Sequence, residues 1–138
     1  MMRCLIVEDD FSSRKLLQIH LSKFGDCFVA VNGYEAVETF REELENKEPY
    51  DLICLDIMTP AMNGQKALKE IRQVEAEHGI KELDCVKVIM TTSLDDSKNI
   101  MSAFKTGCEA YIVKPVEKDK LLKEIMNLGL IKFELNLN

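Results

Sequence analysis

The chain has 138 residues, 46% of them hydrophobic and 30% charged, and a formal net charge of −6. Such a length suits one domain that buries about 68–70% of its unfolded surface without staples, and the composition is that of a soluble globular protein. The acidic balance argues against a nucleic-acid or membrane surface as the main business.

Taken in chain order, residues 3–7 (Arg-Cys-Leu-Ile-Val) form a short apolar run that predicts a buried strand and stops at Glu8-Asp9-Asp10. From Ser12 or Ser13 to Phe24 the period changes, with Leu17, Leu21 and Phe24 on one helical face. The serines can cap that helix and Gly25 can end it. Residues 27–30 predict a second strand, and Asn32-Gly33 turns into a helix carrying Val37, Phe40 and Leu44. Residues 52–56 (Leu-Ile-Cys-Leu-Asp) follow as a third strand, four apolar residues running into one carboxylate, as in a strand buried on both faces.

After Pro60 and Gly64, Ala67, Leu68, Ile71 and Val74 mark a third helix, stopped by Gly79. A long polar connection over 78–84 leads to a β-branched strand over 86–91, a helix over 98–106 closed by Gly107, a strand over 110–113 and a helix over 117–128. Strand and helix alternate throughout, with crossovers long enough for parallel pairing. The pattern predicts an α/β fold: a doubly wound, five-stranded parallel sheet flanked by five helices.

Residues 1–128 make up that domain, and 129–138 form an extension. In the extension Ile131, Phe133, Leu135 and Leu137 alternate with polar residues, as in a half-exposed strand. An extra edge strand, a homodimer by strand exchange, and a tail on the surface are all compatible with it. Five cysteines without a C-x-x-C pair favour reduced thiols over disulfides or zinc. No apolar run nears the ~18 residues of a membrane span, and no signal peptide is visible. A cytoplasmic location is the expectation.

In a parallel sheet the C-terminal tips of all strands line one edge, where such folds place their chemistry. Strand one delivers Glu8, Asp9 and Asp10 there, strand three Asp56, strand four Thr91, Thr92 and Ser93, and strand five Lys114. Singly, each has a bland explanation as a helix cap or a solvated charge. Together they converge. Clustered carboxylates repel and either share protons or take up a cation. A hard oxygen site open to water suits Mg²⁺, which favours a shared phosphate. Asp56 is then a nucleophile toward phosphorus, with Lys114 and Thr92 left to meet phosphoryl oxygens. His20 and His78 have no such company and read as structural or solvent-facing.

The stretches Leu5-Ile6-Val7-Glu8-Asp9-Asp10, Asp56-Ile57-Met58-Thr59-Pro60, Met90-Thr91-Thr92-Ser93 and Tyr111-Ile112-Val113-Lys114-Pro115 together resemble the receiver domain of bacterial two-component response regulators. The likeness runs from residue 3 to about residue 128. It implies a flavodoxin/CheY-like fold and a phosphoacceptor role for Asp56. It further implies a Mg²⁺ site (or another divalent ion such as Mn²⁺) formed by Glu8, Asp9, Asp56 and the Met58 main-chain carbonyl. Thr92 takes the place of the switch hydroxyl, Tyr111 of the aromatic that follows it, and Lys114 of the phosphate-contacting lysine, with a cis bond before Pro115.

The partners implied are a sensor histidine kinase or histidine phosphotransfer protein, and a downstream protein docking on the face built from residues 98–128, where Lys98, Lys105, Lys118 and Lys123 stand. No nucleic acid, membrane or enzymatic activity beyond self-phosphorylation and dephosphorylation is expected. Glu8 departs from the commoner aspartate, and its longer arm implies contact with the metal through water.

Too few residues follow Pro115 for an output module, so a stand-alone receiver is expected, and Met1 opening onto the first strand favours completeness; a fragment of a larger regulator is the alternative. Two other classes fit the sequence less well. A haloacid-dehalogenase-type aspartate phosphatase wants a carboxylate two residues after the nucleophile, where this chain has Met58. A flavodoxin-like cofactor binder wants a phosphate loop where this chain has Glu8-Asp9-Asp10.

Overall fold

The computed structural model describes residues 2–93 and 97–131, with the side chains of 97–99 also outside the description. Strands β1 (Met2–Val7), β2 (Gly25–Ala30), β3 (Leu52–Asp56), β4 (Lys87–Thr92) and β5 (Ala110–Val113) alternate with helices α1 (Phe11–Leu21), α2 (Gly33–Glu45), α3 (Gly64–Glu77), α4 (Ser97–Thr106) and α5 (Lys118–Asn127). The strands pair in parallel in the order β2-β1-β3-β4-β5. The doubly wound sheet expected from the alternation is present.

Side-chain alternation along each strand feeds two cores. Leu5, Val7, Ile53, Leu55, Val88 and Met90 pack with Phe40 of α2, Leu68 and Ile71 of α3 and Ala103 of α4. Cys4, Ile6, Leu52, Cys54, Ile89 and Ile112 pack with Leu17 and Leu21 of α1 and Leu121 and Ile125 of α5. Every residue of β3 is buried, which explains its unbroken apolar run.

The local predictions need several adjustments. Asp10, not a serine, caps α1: its carboxylate accepts from the Ser13 amide at 2.9 Å, and that bond holds its pKa below the usual value. Gly25 opens β2 instead of closing α1, because a Cβ there would collide with the Met2 carbonyl. β4 runs one residue later than predicted. Val86 drops out of the ladder because its carbonyl accepts from Arg72 Nη1 at 2.8 Å and its amide donates to Glu75 Oε2 at 2.6 Å. The polar connection before β4 contains a 3₁₀ turn over Glu82–Asp84.

Beyond α5, Gly129 takes a φ of +76° and the chain bends without forming a strand as far as Ile131, with Leu128, Leu130 and Ile131 against the core. The strand expected over the rest of the extension lies outside the described residues.

Candidate functional site

The C-terminal edge of the sheet gathers the groups that the sequence placed there. β1 ends at Val7, and Glu8 continues its pairing with β2 by donating its amide to the Ala30 carbonyl at 3.0 Å. This fixes Glu8 against the sheet, 1% exposed, whereas Asp9 one residue on is exposed. Arg14 of α1 reaches back to the carbonyls of Glu8 and Asp9 at 3.2 and 3.4 Å, pinning the turn between strand and helix.

Asp56 stands at the tip of β3 and is 5% exposed. Its neighbour Ile57 donates to the Thr91 carbonyl at 3.0 Å, and Gly64 donates to the Ile57 carbonyl at 2.8 Å. A Cβ at Gly64 would strike the Asp56 carbonyl, so only glycine lets α3 begin this close to the strand tip. Within the loop between them, the Thr59 hydroxyl donates to the Met62 carbonyl at 2.6 Å, and Asn63 caps α3 by accepting from the Lys66 amide at 3.0 Å. The carboxylate of Asp56 is thus held on a short, well-tied segment.

One oxygen from each of Glu8, Asp9 and Asp56 lies within 4.8 Å of the others. Lys114 enters the same cluster from the end of β5, its Nζ donating to Glu8 Oε1 at 2.7 Å and to Asp56 Oδ2 at 3.1 Å. The amide of Lys114 is anchored on the Thr92 carbonyl at 2.7 Å, and the Lys114–Pro115 bond is cis. Burial pushes the Glu8 carboxyl above the usual value, against the pull of Lys114 and of the Asp10 amide. Burial also draws the Lys114 ammonium down, but its bonds to Glu8 and Asp56 outweigh this and leave it raised.

The remaining predicted residues fall as follows. Thr92 ends β4, wholly buried, and its hydroxyl donates to the Ser93 carbonyl at 3.1 Å. The Met58 amide donates to Asp56 Oδ1 at 3.1 Å while its side chain faces solvent. Tyr111 lies away from the cluster, half-exposed on β5, with its ring edge-on to Phe104 at 5.7 Å. Sequence reasoning placed Glu8 and Lys114 on one edge but did not anticipate that they bond to each other.

The response regulator receiver domain family matches residues 4–126 of this chain. The chain belongs to that family. This receiver is 34% identical over 125 residues to the chemotaxis protein CheY of Bacillus subtilis (strain 168), covering 89% of this chain and 93% of that protein. Against several longer relatives the receiver spans less than half of their length.

A chain in the co-crystal structure of the Saccharomyces cerevisiae histidine phosphotransfer protein Ypd1 with the receiver domain of Ssk1 superposes with a TM-score of 0.79 at 28% identity, covering 99% of this chain and 94% of that one. A chain in the CheX–CheY–BeF3–Mg²⁺ complex from Borrelia burgdorferi gives 0.75 at 28% identity, covering 93% and 89%. The fold, the two-component signalling role and the resemblance drawn from the motifs are therefore established. The family is a signalling domain and not a classical enzyme, which sets aside the phosphatase and flavin-binder alternatives.

Proposed function

We propose that Asp56 is the phosphoacceptor of this receiver and that its phosphorylation depends on a divalent cation held by Glu8, Asp9, Asp56 and the Met58 carbonyl. The observation that carries this reading is the charge imbalance at the sheet edge: three carboxylates face one ammonium. Two of the three are buried, where such repulsion is least screened. Hard carboxylate oxygens in this number suit Mg²⁺ or Mn²⁺. When bound, the ion supplies the positive charge that offsets repulsion between Asp56 and an incoming phosphoryl group.

In the transfer itself, one Asp56 oxygen bonds to phosphorus as the phosphorus–nitrogen bond of a phosphohistidine breaks, and the departing imidazole takes a proton. The donor is a sensor histidine kinase or a histidine phosphotransfer protein; the Ypd1 complex of a similar receiver supports the second. Lys114 and the Thr92 hydroxyl then meet phosphoryl oxygens, and the added charge biases a two-state arrangement of β4, α4 and β5. Tyr111 follows that change.

The output is protein–protein contact on the face of α4, β5 and α5, where Met101, Phe104 and Tyr111 are exposed and Lys105, Lys118 and Lys123 reach solvent. The Lys98 side chain expected on this face lies outside the described residues. The reading places the receiver in the cytoplasm; among the described residues no helix is long and apolar enough to cross a membrane.

Incubation with Mg²⁺ and acetyl phosphate tests the acceptor. Intact-mass analysis is expected to show one phosphoryl group on the wild type and none on Asp56→Ala. Equal labelling of the two proteins would overturn the assignment.

A further inference from the structure

Glu8 divides its carboxylate between two donors: Oε1 accepts from Lys114 Nζ at 2.7 Å and Oε2 from the Asp10 amide at 3.1 Å. Asp56 divides its own between the Met58 amide and Lys114 Nζ, both at 3.1 Å. The ammonium therefore bridges the two buried carboxylates of the cluster, and its shorter bond is the one to Glu8. We propose that Glu8 is a tether for Lys114. It keeps the ammonium on the acidic cluster as a resident cation, weakens the cluster's hold on a divalent ion, and makes withdrawal of Lys114 a condition of ion binding. The inference rests on the reading of Glu8, Asp9 and Asp56 as a metal site.

A charge-assisted bond between ammonium and carboxylate is about twice as strong as a neutral one, and here its acceptor is 1% exposed, where water competes little. A divalent ion held at Glu8 and Asp56 would share both carboxylates with a monocation, and like charges at that range repel strongly. The reach is also specific to glutamate. An aspartate at this position is shorter by one carbon–carbon bond, about 1.5 Å, which draws the carboxylate out of hydrogen-bond range of Lys114 while preserving its charge. Glu8 is thus a positioning residue as well as a ligand. Freed from it, Lys114 is available to a phosphoryl group only after the ion has arrived.

Simple repulsion between Lys114 and the ion would also weaken binding, but it would do so whichever acid stood at position 8. The tether predicts that the two residues act as a unit. Ion affinity is measured on the full chain without phosphodonor, Mn²⁺ by electron paramagnetic resonance and Mg²⁺ by calorimetry. Glu8→Asp and Lys114→Met are each expected to tighten binding about tenfold, the scale on which outer partners of metal ligands act. The double variant is expected to bind no more tightly than the better single one.

Additive gains, or a single variant whose affinity is unchanged or weaker, would overturn the tether. A second measurement needs no variant. In the wild type the nitrogen signal of Lys114 Nζ is expected to shift with the same midpoint as ion binding, and a signal indifferent to the ion would overturn the proposal. Failure of the wild type both to bind either ion and to form a beryllofluoride adduct would instead remove the metal-site reading on which the tether stands.

Discussion

Two clusters in this molecule surround a single basic side chain with carboxylates, one at each edge of the sheet. At the N-terminal edge Arg72 meets Glu75 and Glu109 at 2.8 and 3.1 Å. At the C-terminal edge Lys114 meets Glu8 and Asp56 at 2.7 and 3.1 Å. Their surroundings differ. Around Arg72 the other bonds end on main chain: the guanidinium donates to the Gly107 and Val86 carbonyls, and the carboxylates accept from the Val86 and Val88 amides, both at 2.6 Å. That cluster closes α3 onto the entry to β4 and the turn before β5, and its hydrogen bonds are used in holding backbone. Around Lys114 a third carboxylate, Asp9, adds charge that nothing in the cluster matches. Similar residues at similar distances make a fastening in one place and a cluster with surplus negative charge in the other.

The largest effect that sharpens this contrast is expected from Arg72→Met. The carboxylate of Glu75 is 2% exposed and would lose its cation, which for a buried pair costs about 3–5 kcal/mol. The lower end is expected, about 3 kcal/mol, because the Val86 amide still donates to Glu75. Urea denaturation measures it as a lower midpoint at an unchanged slope. A loss under about 1 kcal/mol would mean that the N-terminal cluster is not the fastening its bonds suggest.

At the other edge the sign should reverse. Asp56→Asn removes one of three mutually repelling carboxylates while keeping the shape of the side chain. Without metal it is expected to stabilise the fold by about 1 kcal/mol, as relief of strained functional sites commonly does. The same urea experiment in the presence of a chelator decides the matter. A destabilised Asp56→Asn would indicate that Lys114 needs Asp56 more than the carboxylates repel.

The architecture was readable because each helix and strand carries its own period, and because β3 shows burial on both faces through an apolar run with no polar break. The edge on which Glu8, Asp9, Asp56, Thr92 and Lys114 meet followed from parallel pairing alone. What escaped depends on side-chain reach. Nothing in the spacing of Glu8 and Lys114 says that one arm is long enough to close on the other. No motif in the sequence singles out Arg72 among the charges of α3. A hint was present, since Glu75 stands one turn after Arg72 beside Val74, on the side that faces the core. The cap of α1 escaped because Asp10, Ser12 and Ser13 all compete for the position, and only backbone geometry selects Asp10.

The smallest effect is one of pH, and its sign follows from burial. The carboxyl of Glu8 has a higher pKa folded than unfolded, burial being the leading cause. The folded state therefore holds its proton more tightly, so this group's contribution is fully present below the ordinary carboxylate range and declines as pH rises through it. Lys114, also raised, contributes throughout that window and loses its effect only in the alkaline range, above its ordinary value of 10.5. In metal-free buffer the wild type is accordingly expected to lose stability as pH rises through and above the ordinary carboxylate range, relative to Glu8→Gln, which carries no titrating group there. The gap between the two urea midpoints should change across that interval and then level off. The same comparison made with Arg72→Met as a background should give the same gap, since the two clusters share no side chain. A gap that depended on Arg72 would mean that the two edges of the sheet are coupled.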